Sequence, residues 1–258
     1  VGAFVLTSVV CINSRVKSGK DKSEKKVDSK LLLKGGVYCG LIIFVSSTLQ
    51  QMGILHTTVG KAGFITSLYI VIVPLLGLFF RKKVDGIIWG CVLLAVAGMY
   101  LLCINESLAL NQGDLLILLC AIGFATHILV IDHFSPLVDG VKLSAFQFLI
   151  CSGVSTIAAL VFEQPNLASI LVAWKPILYT GILSCGVAYT FQILGQKYVA
   201  PVIASLILSL ESVFAVLSGW IILNEVLTQK EIWGCVLIFI AILLAQMPEF
   251  FKNKKSEI

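Results

Sequence analysis

Ile88-Trp89-Gly90-Cys91-Val92-Leu93 returns letter for letter at Ile232-Trp233-Gly234-Cys235-Val236-Leu237, and the likeness extends upstream of both copies. Laying Phe44 to Tyr69 on Gly186 to Glu211 without a gap pairs Val45 with Val187, Thr48 with Thr190, Gln50 with Gln192, Gly53 with Gly195, Ala62 with Ala204, Ile65 with Ile207, Ser67 with Ser209 and Leu68 with Leu210. That is eight identities in 26 positions. The offset is 142 there and 144 at the hexapeptide, so the second copy carries two extra residues between its last two segments. Repeats of this length, each built of several hydrophobic segments, are the pattern of carriers made from two halves.

Composition places those segments in lipid. Hydrophobic residues are 58% of the chain and charged residues 13%, and the mean hydropathy is +1.00, a balance foreign to ordinary water-soluble domains. A helix needs about 20 apolar residues to cross the hydrocarbon layer. Eight stretches qualify, at roughly 32 to 55, 61 to 80, 86 to 104, 113 to 132, 144 to 162, 175 to 195, 201 to 223 and 231 to 248. They are long and continuously apolar rather than alternating, which predicts helices and not a barrel. The fold class expected is therefore an all-α polytopic membrane protein with two inverted five-helix repeats, residues 1–108 and 109–258. Val1 to Ile12 are apolar but too few to cross, and moving span 144 to 162 back by 142 lands on 2 to 20. The repeat thus predicts ten spans in the intact protein, with the first span and part of the second absent here.

Charge sets an orientation. The connection Asn13 to Lys34 carries Arg15, Lys17, Lys20, Lys22, Lys25, Lys26, Lys30 and Lys34 and is expected on the cytoplasmic side. Alternating from it, Arg81, Lys82, Lys83, Lys142, Lys197, Lys252, Lys254 and Lys255 also fall inside, 16 of the 19 basic residues, and only Lys61, Lys175 and Lys230 fall outside. The C-terminus is then cytoplasmic, and a plasma membrane, specifically a bacterial inner membrane, is the expected location. An odd number of spans per half also inverts the second copy, which places a solute site near the midplane where the halves meet. The basic run has a second reading, nucleic-acid binding, which the neighbouring spans disfavour, so no nucleic-acid partner is expected.

Ser209-Leu210-Glu211-Ser212-Val213-Phe214-Ala215, the apolar run after it, and Leu223-Asn224-Glu225 before the last span resemble the end of an EamA domain. The first half, from Leu49-Gln50 through Thr66-Ser67-Leu68-Tyr69 and Pro74, is similar to the same stretch of the other copy. Together they resemble the drug/metabolite transporter superfamily over essentially the whole chain. The resemblance implies a ten-helix carrier that moves metabolites, often amino acids or toxic compounds, outward without ATP. One departure is plain: Arg81-Lys82-Lys83 stand in the first copy where the second has Asn224-Glu225.

Candidate site residues follow from polar groups inside apolar runs. Glu211 is the eleventh residue of a 23-residue span, and an acid at that depth costs about 2.5 to 3.5 kcal/mol, so it belongs beside a cavity. It is a candidate for proton coupling or for meeting a substrate ammonium; the plainer reading is a neutral Glu joining helices. Gln50 with Gln192, and Tyr69 with Glu211, occupy equivalent positions and are expected near the pseudo-twofold axis. Tyr189, three residues before Gln192, adds an aromatic wall suited to a small polar or amphipathic solute. His127 and Gln147 complete the substrate-binding set, His127 with a proton-relay alternative and both with a structural one. Lys61 is expected to snorkel to water, and Pro74 to kink its span. The glycine pairs Gly53/Gly195 and Gly90/Gly234 are expected to permit close helix packing.

The eight cysteines lie singly in apolar runs and are expected to be small buried residues rather than metal ligands or disulfides. No Walker loop, dinucleotide turn or zinc helix motif is present, so neither cofactor nor metal is expected. A noncatalytic carrier with a small-molecule substrate and the lipid bilayer as partners is the first reading. An intramembrane enzyme needs a carboxylate cluster or a nucleophile with its base, neither of which shows; a membrane scaffold or sensor has no need of Glu211. Oligomeric state stays open, a homodimer being one alternative.

Overall fold

In the computed structural model, residues 29–57, 59–79, 84–103, 111–163, 165–223 and 228–256 are described. Val1 to Ile12, most of the basic connection that follows, Arg81-Lys82-Lys83 and Asn224-Glu225 lie outside them. The described residues form helices joined by turns, with no strand among them. In chain order these are α1 Ser29–Ile54, α2 Val59–Ser67, α3 Tyr69–Phe79, α4 Gly86–Cys103, α5 Gln112–Phe134, α6 Gly140–Phe162, α7 Leu167–Val172, α8 Trp174–Tyr179, a π-helix Thr180–Ala188, α9 Tyr189–Gln196, α10 Pro201–Leu208, α11 Leu210–Leu223 and α12 Gln229–Ser256. Each of the eight apolar stretches falls on this helical framework. Ser29–Ile54, Lys61–Phe79, Gln112–Phe134, Gly140–Phe162 and Trp174–Gln196 are long and apolar enough to cross a membrane, and the protein is an all-α polytopic membrane protein.

The chain divides into two compact units, residues 1–45 with 130–199 and residues 46–129 with 200–258. Each draws on both sequence repeats. In the second unit the helices that carry the duplicated hexapeptide, α4 and α12, pack on each other along their length. Their seam is built of Val92, Ala95 and Met99 against Ile238, Ala241, Ile242 and Ala245, all buried, with Ile70, Val73 and Leu206 closing the same cluster. Small residues bring the backbones close: a Cβ on Gly98 would lie 2.8 Å from the Gly234 carbonyl oxygen. In lipid, where no hydrophobic drive pulls helices together, such close approach is what associates them. Gly53 plays the same part against Ile117 and Gly113, as expected, whereas Gly90 and Gly195 have nothing within 4 Å of an added Cβ. For those two the packing expectation is corrected: they face open space.

In the first unit, α1 lies on α6 through Gly36 and Gly40, where a Cβ on Gly40 would sit 2.6 Å from the Gln147 carbonyl. Leu32, Cys39, Phe134, Leu143 and Ile193 form one buried cluster there, and Ile43, Ala145 and Phe148 a second, lined by Cys151, Cys185 and Tyr189. Cys39, Cys91, Cys120, Cys151, Cys185 and Cys235 are free thiols. Asp139 starts α6, its side chain accepting from the Lys142 amide, a cap that satisfies one of the helix's orphan donors.

Candidate functional site

Two spans of the second unit are broken, each within its copy of the repeated Ser-Leu pair, the first at the leucine and the second at the serine. The first interrupts between α2 and α3 at Leu68, the second between α10 and α11 at Ser209. Neither place has Gly or Pro. Instead the serine of each Ser-Leu pair turns back on its own helix: Ser67 Oγ donates to the Gly63 carbonyl at 2.8 Å and Ser209 Oγ to the Leu206 carbonyl at 2.6 Å. The backbone tightens to match, with Leu68 N–H reaching Ile65 O at 3.1 Å, and Ser212 N–H reaching Ser209 O at 3.2 Å. Such local bonds compete with the i to i−4 ladder and bend helices. Irregular backbone at membrane depth is tolerated where it is buried in protein or lines a cavity.

Tyr69 directly follows the first break, and Glu211 stands two residues past the second. Tyr69 opens α3 and is buried against the α4–α12 cluster; Leu210 packs on that same cluster. Glu211, next along, is exposed, and among the described residues it has no hydrogen-bond or ion-pair partner. A carboxyl within an apolar run is not satisfied by lipid, and such groups ordinarily face a bundle interior or a water-filled cavity.

The other candidates are distributed. Gln50, half-buried, donates to Thr66 Oγ1 at 3.4 Å, tying the end of α1 to α2. His127 is 1% exposed and Gln147 fully buried. Tyr189 is half-buried, with its ring edge-on to Phe148 at 5.3 Å, and begins α9 directly after the π-helix, its backbone N–H bonding Ser184 O. Thr190 Oγ1 lies 2.8 Å from Ser144 Oγ, which holds α9 on α6. Gln192 is half-buried and has no hydrogen-bond partner among the described residues. The structure thus groups Gln50, Tyr69, His127 and Glu211 in the second unit and Gln147, Tyr189 and Gln192 in the first.

Sequence reasoning also misplaced Lys61. Lys61 does not snorkel to water: it is 8% exposed, and its Nζ lies 2.8 Å from Asp114 Oδ2. Asp114 sits in the first turn of α5, where the helix dipole favours an acid. It is thoroughly satisfied, accepting from the Thr57 hydroxyl, the Asn111 backbone N–H at 3.0 Å and Lys61, while its own N–H reaches Asn111 Oδ1 at 2.8 Å. The reciprocal Asn111–Asp114 bonds are those of a capping box. A partner 53 residues away leaves no trace in sequence spacing. Among the described residues no group of three or more His, Cys, Asp or Glu side chains is placed to hold a metal.

The family described as the EamA-like transporter family matches residues 111–247. An uncharacterised transporter of Archaeoglobus fulgidus is 33% identical over 224 residues, 83% of this chain and 69% of that protein. One chain of a crystal structure superposes with a TM-score of 0.69 over 95% of this chain and 94% of its own at 14% identity, a likeness of fold alone.

Proposed function

The chain belongs to the EamA-like transporter family, and on that premise we propose that this multi-pass membrane transporter is a secondary carrier exporting small organic solutes, amino acids or toxic compounds, across a bacterial plasma membrane. Its two repeats alternate access to a midplane site, and its C-terminus is cytoplasmic. Gln50, Tyr69, His127, Gln147, Tyr189, Gln192 and Glu211 are the polar and aromatic groups that meet the solute or hold those that do. Glu211 carries the coupled proton.

The observation that carries this reading is Glu211 itself. It stands two residues past the Ser209 break, exposed and unpaired among the described residues. A static scaffold gains nothing from such a group, whereas a carrier uses an ionisable carboxyl that is alternately protonated and paired with solute. The half-buried amides of Gln50 and Gln192 and the ring of Tyr189 supply the few oriented polar groups and the apolar wall that small-solute sites combine.

The test is reconstitution of the full-length protein in liposomes and a screen of labelled amino acids and cationic drugs for saturable uptake. A solute whose uptake saturates and is absent from empty liposomes supports the reading; a panel that yields no uptake above empty liposomes overturns it for these solute classes.

A further inference from the structure

We propose that the Lys61–Asp114 ion pair is a conformational latch, the contact that must break and remake as the end of the carrier nearest it opens and closes. The inference rests on the transporter reading and deepens it. Among the described helices only α1 and α5 have residues in both compact units, α1 dividing after Val45 and α5 after Leu129. The chain passes between the units at three places, within those two helices and between Val199 and Ala200. Their ends in the second unit meet at one junction: a Cβ on Gly113 would lie 2.7 Å from the Gly53 carbonyl and 2.9 Å from His56. The Thr57 hydroxyl and the Lys61 ammonium close the same junction onto Asp114.

The chemistry at the junction suits a bond made to be broken. With side-chain exposures of 10% and 1%, both charges are out of water. In that setting the attraction of the pair and the desolvation of its members nearly offset each other, so hydrating both on opening changes the free energy little. Apolar groups in their place would favour only the closed junction. The second repeat lacks the device: the counterparts of Thr57 and Lys61 at the 142-residue offset are Val199 and Ile203, and Ile203 is buried. The two ends of the carrier are thereby unequal, the Lys61 end carrying a polar fastening that its repeat counterpart does not.

A packing role and a latch role predict opposite results for one variant. In the full-length protein, Lys61→Ile with Asp114→Leu replaces the pair by apolar groups of similar reach. If the pair is a latch, this variant melts at or above the native temperature, its amides at 50–57 and 112–118 exchange with deuterium at least tenfold more slowly than native, and its uptake of the amino acid found in the screen falls at least tenfold. Native exchange and native uptake in a folded double variant would overturn the proposal. Should that variant fail to fold, Asp114→Asn decides, because it keeps the shape of the side chain but removes the charge that holds Lys61: amides at 50–57 and 112–118 that exchange at least tenfold faster than native support the latch, while native exchange in the folded variant overturns it. If the native protein moves none of the amino acids, that solute class is lost and the exchange comparison alone decides the latch: at least tenfold slower in the apolar double supports it, equal rates refute it.

Discussion

Two glycines on one helix should respond to the same substitution with opposite signs. On α4, a Cβ added at Gly98 would meet the Gly234 carbonyl oxygen at 2.8 Å, Ile238 Cγ1 at 2.9 Å and Ile238 N at 3.0 Å. Two of those three atoms are backbone and cannot rotate away. To reach an ordinary contact the helices must part by about 0.6 Å, and a gap of that size forfeits about a quarter or more of the attraction at each facing contact. The facing contacts are those of Val92, Ala95 and Met99 with α12, so Gly98→Ala incurs the usual overpacking loss of about 1–3 kcal/mol. Alanine's better helix propensity returns about 0.5–1 kcal/mol, leaving a net loss that runs from near zero to about 2.5 kcal/mol. Gly90 has nothing within 4 Å of an added Cβ, so Gly90→Ala keeps the propensity gain of about 0.5–1 kcal/mol with no opposing clash. Denaturant unfolding in mixed micelles, followed by intrinsic tryptophan fluorescence, reads both. Gly98→Ala above native stability, or Gly90→Ala losing as much as Gly98→Ala, would refute the account of the α4–α12 seam.

Further outcomes follow from the polar contacts. Lys61→Met leaves the Asp114 carboxylate buried and short of a counter-ion, and since Thr57 and Asn111 still donate to it the loss should sit at the low end of the usual range, about 3 kcal/mol, by the same unfolding measurement. Adding Asp114→Leu to that variant should recover most of the loss, because the uncompensated charge is then gone. Ser144→Ala should cost about 1 kcal/mol, since Thr190 keeps its bond to the Gly186 carbonyl at 2.6 Å and only the contact between α6 and α9 is lost; a loss of 3 kcal/mol or more, also read by unfolding, would mean that Ser144 holds more than Thr190.

Long apolar runs and a repeated hexapeptide made the all-helical membrane framework and the family resemblance readable, because lipid forces each crossing segment to advertise itself in composition. The interruptions were not readable. Ser67 and Ser209 bond backward to carbonyls four and three residues away beside the breaks, yet Thr126 in α5 and Thr156 in α6 make the same kind of bond inside unbroken helices, so such a residue in a run predicts nothing alone. The π-helix Thr180–Ala188 left a fainter signal, two glycines five residues apart, Gly181 and Gly186, where the first repeat has Cys39 and Phe44 in regular helix. Lys61 was misjudged for a third reason: a lysine at a helix end ordinarily reaches water, and only the fold reveals that Asp114 intercepts it. Glu211 needed no structure to be singled out, since an acid within apolar sequence is conspicuous, but its exposure and its place beside a helix break came from the fold.

The central claim, that Glu211 couples proton movement to solute transport, is tested most directly by comparing native protein with Glu211→Gln in liposomes under an imposed pH gradient, using the solute found in the screen. The account predicts that native protein accumulates the solute against its concentration gradient, and that Glu211→Gln moves it only down that gradient. Equal gradient-driven accumulation by both proteins would contradict it and remove Glu211 from the mechanism.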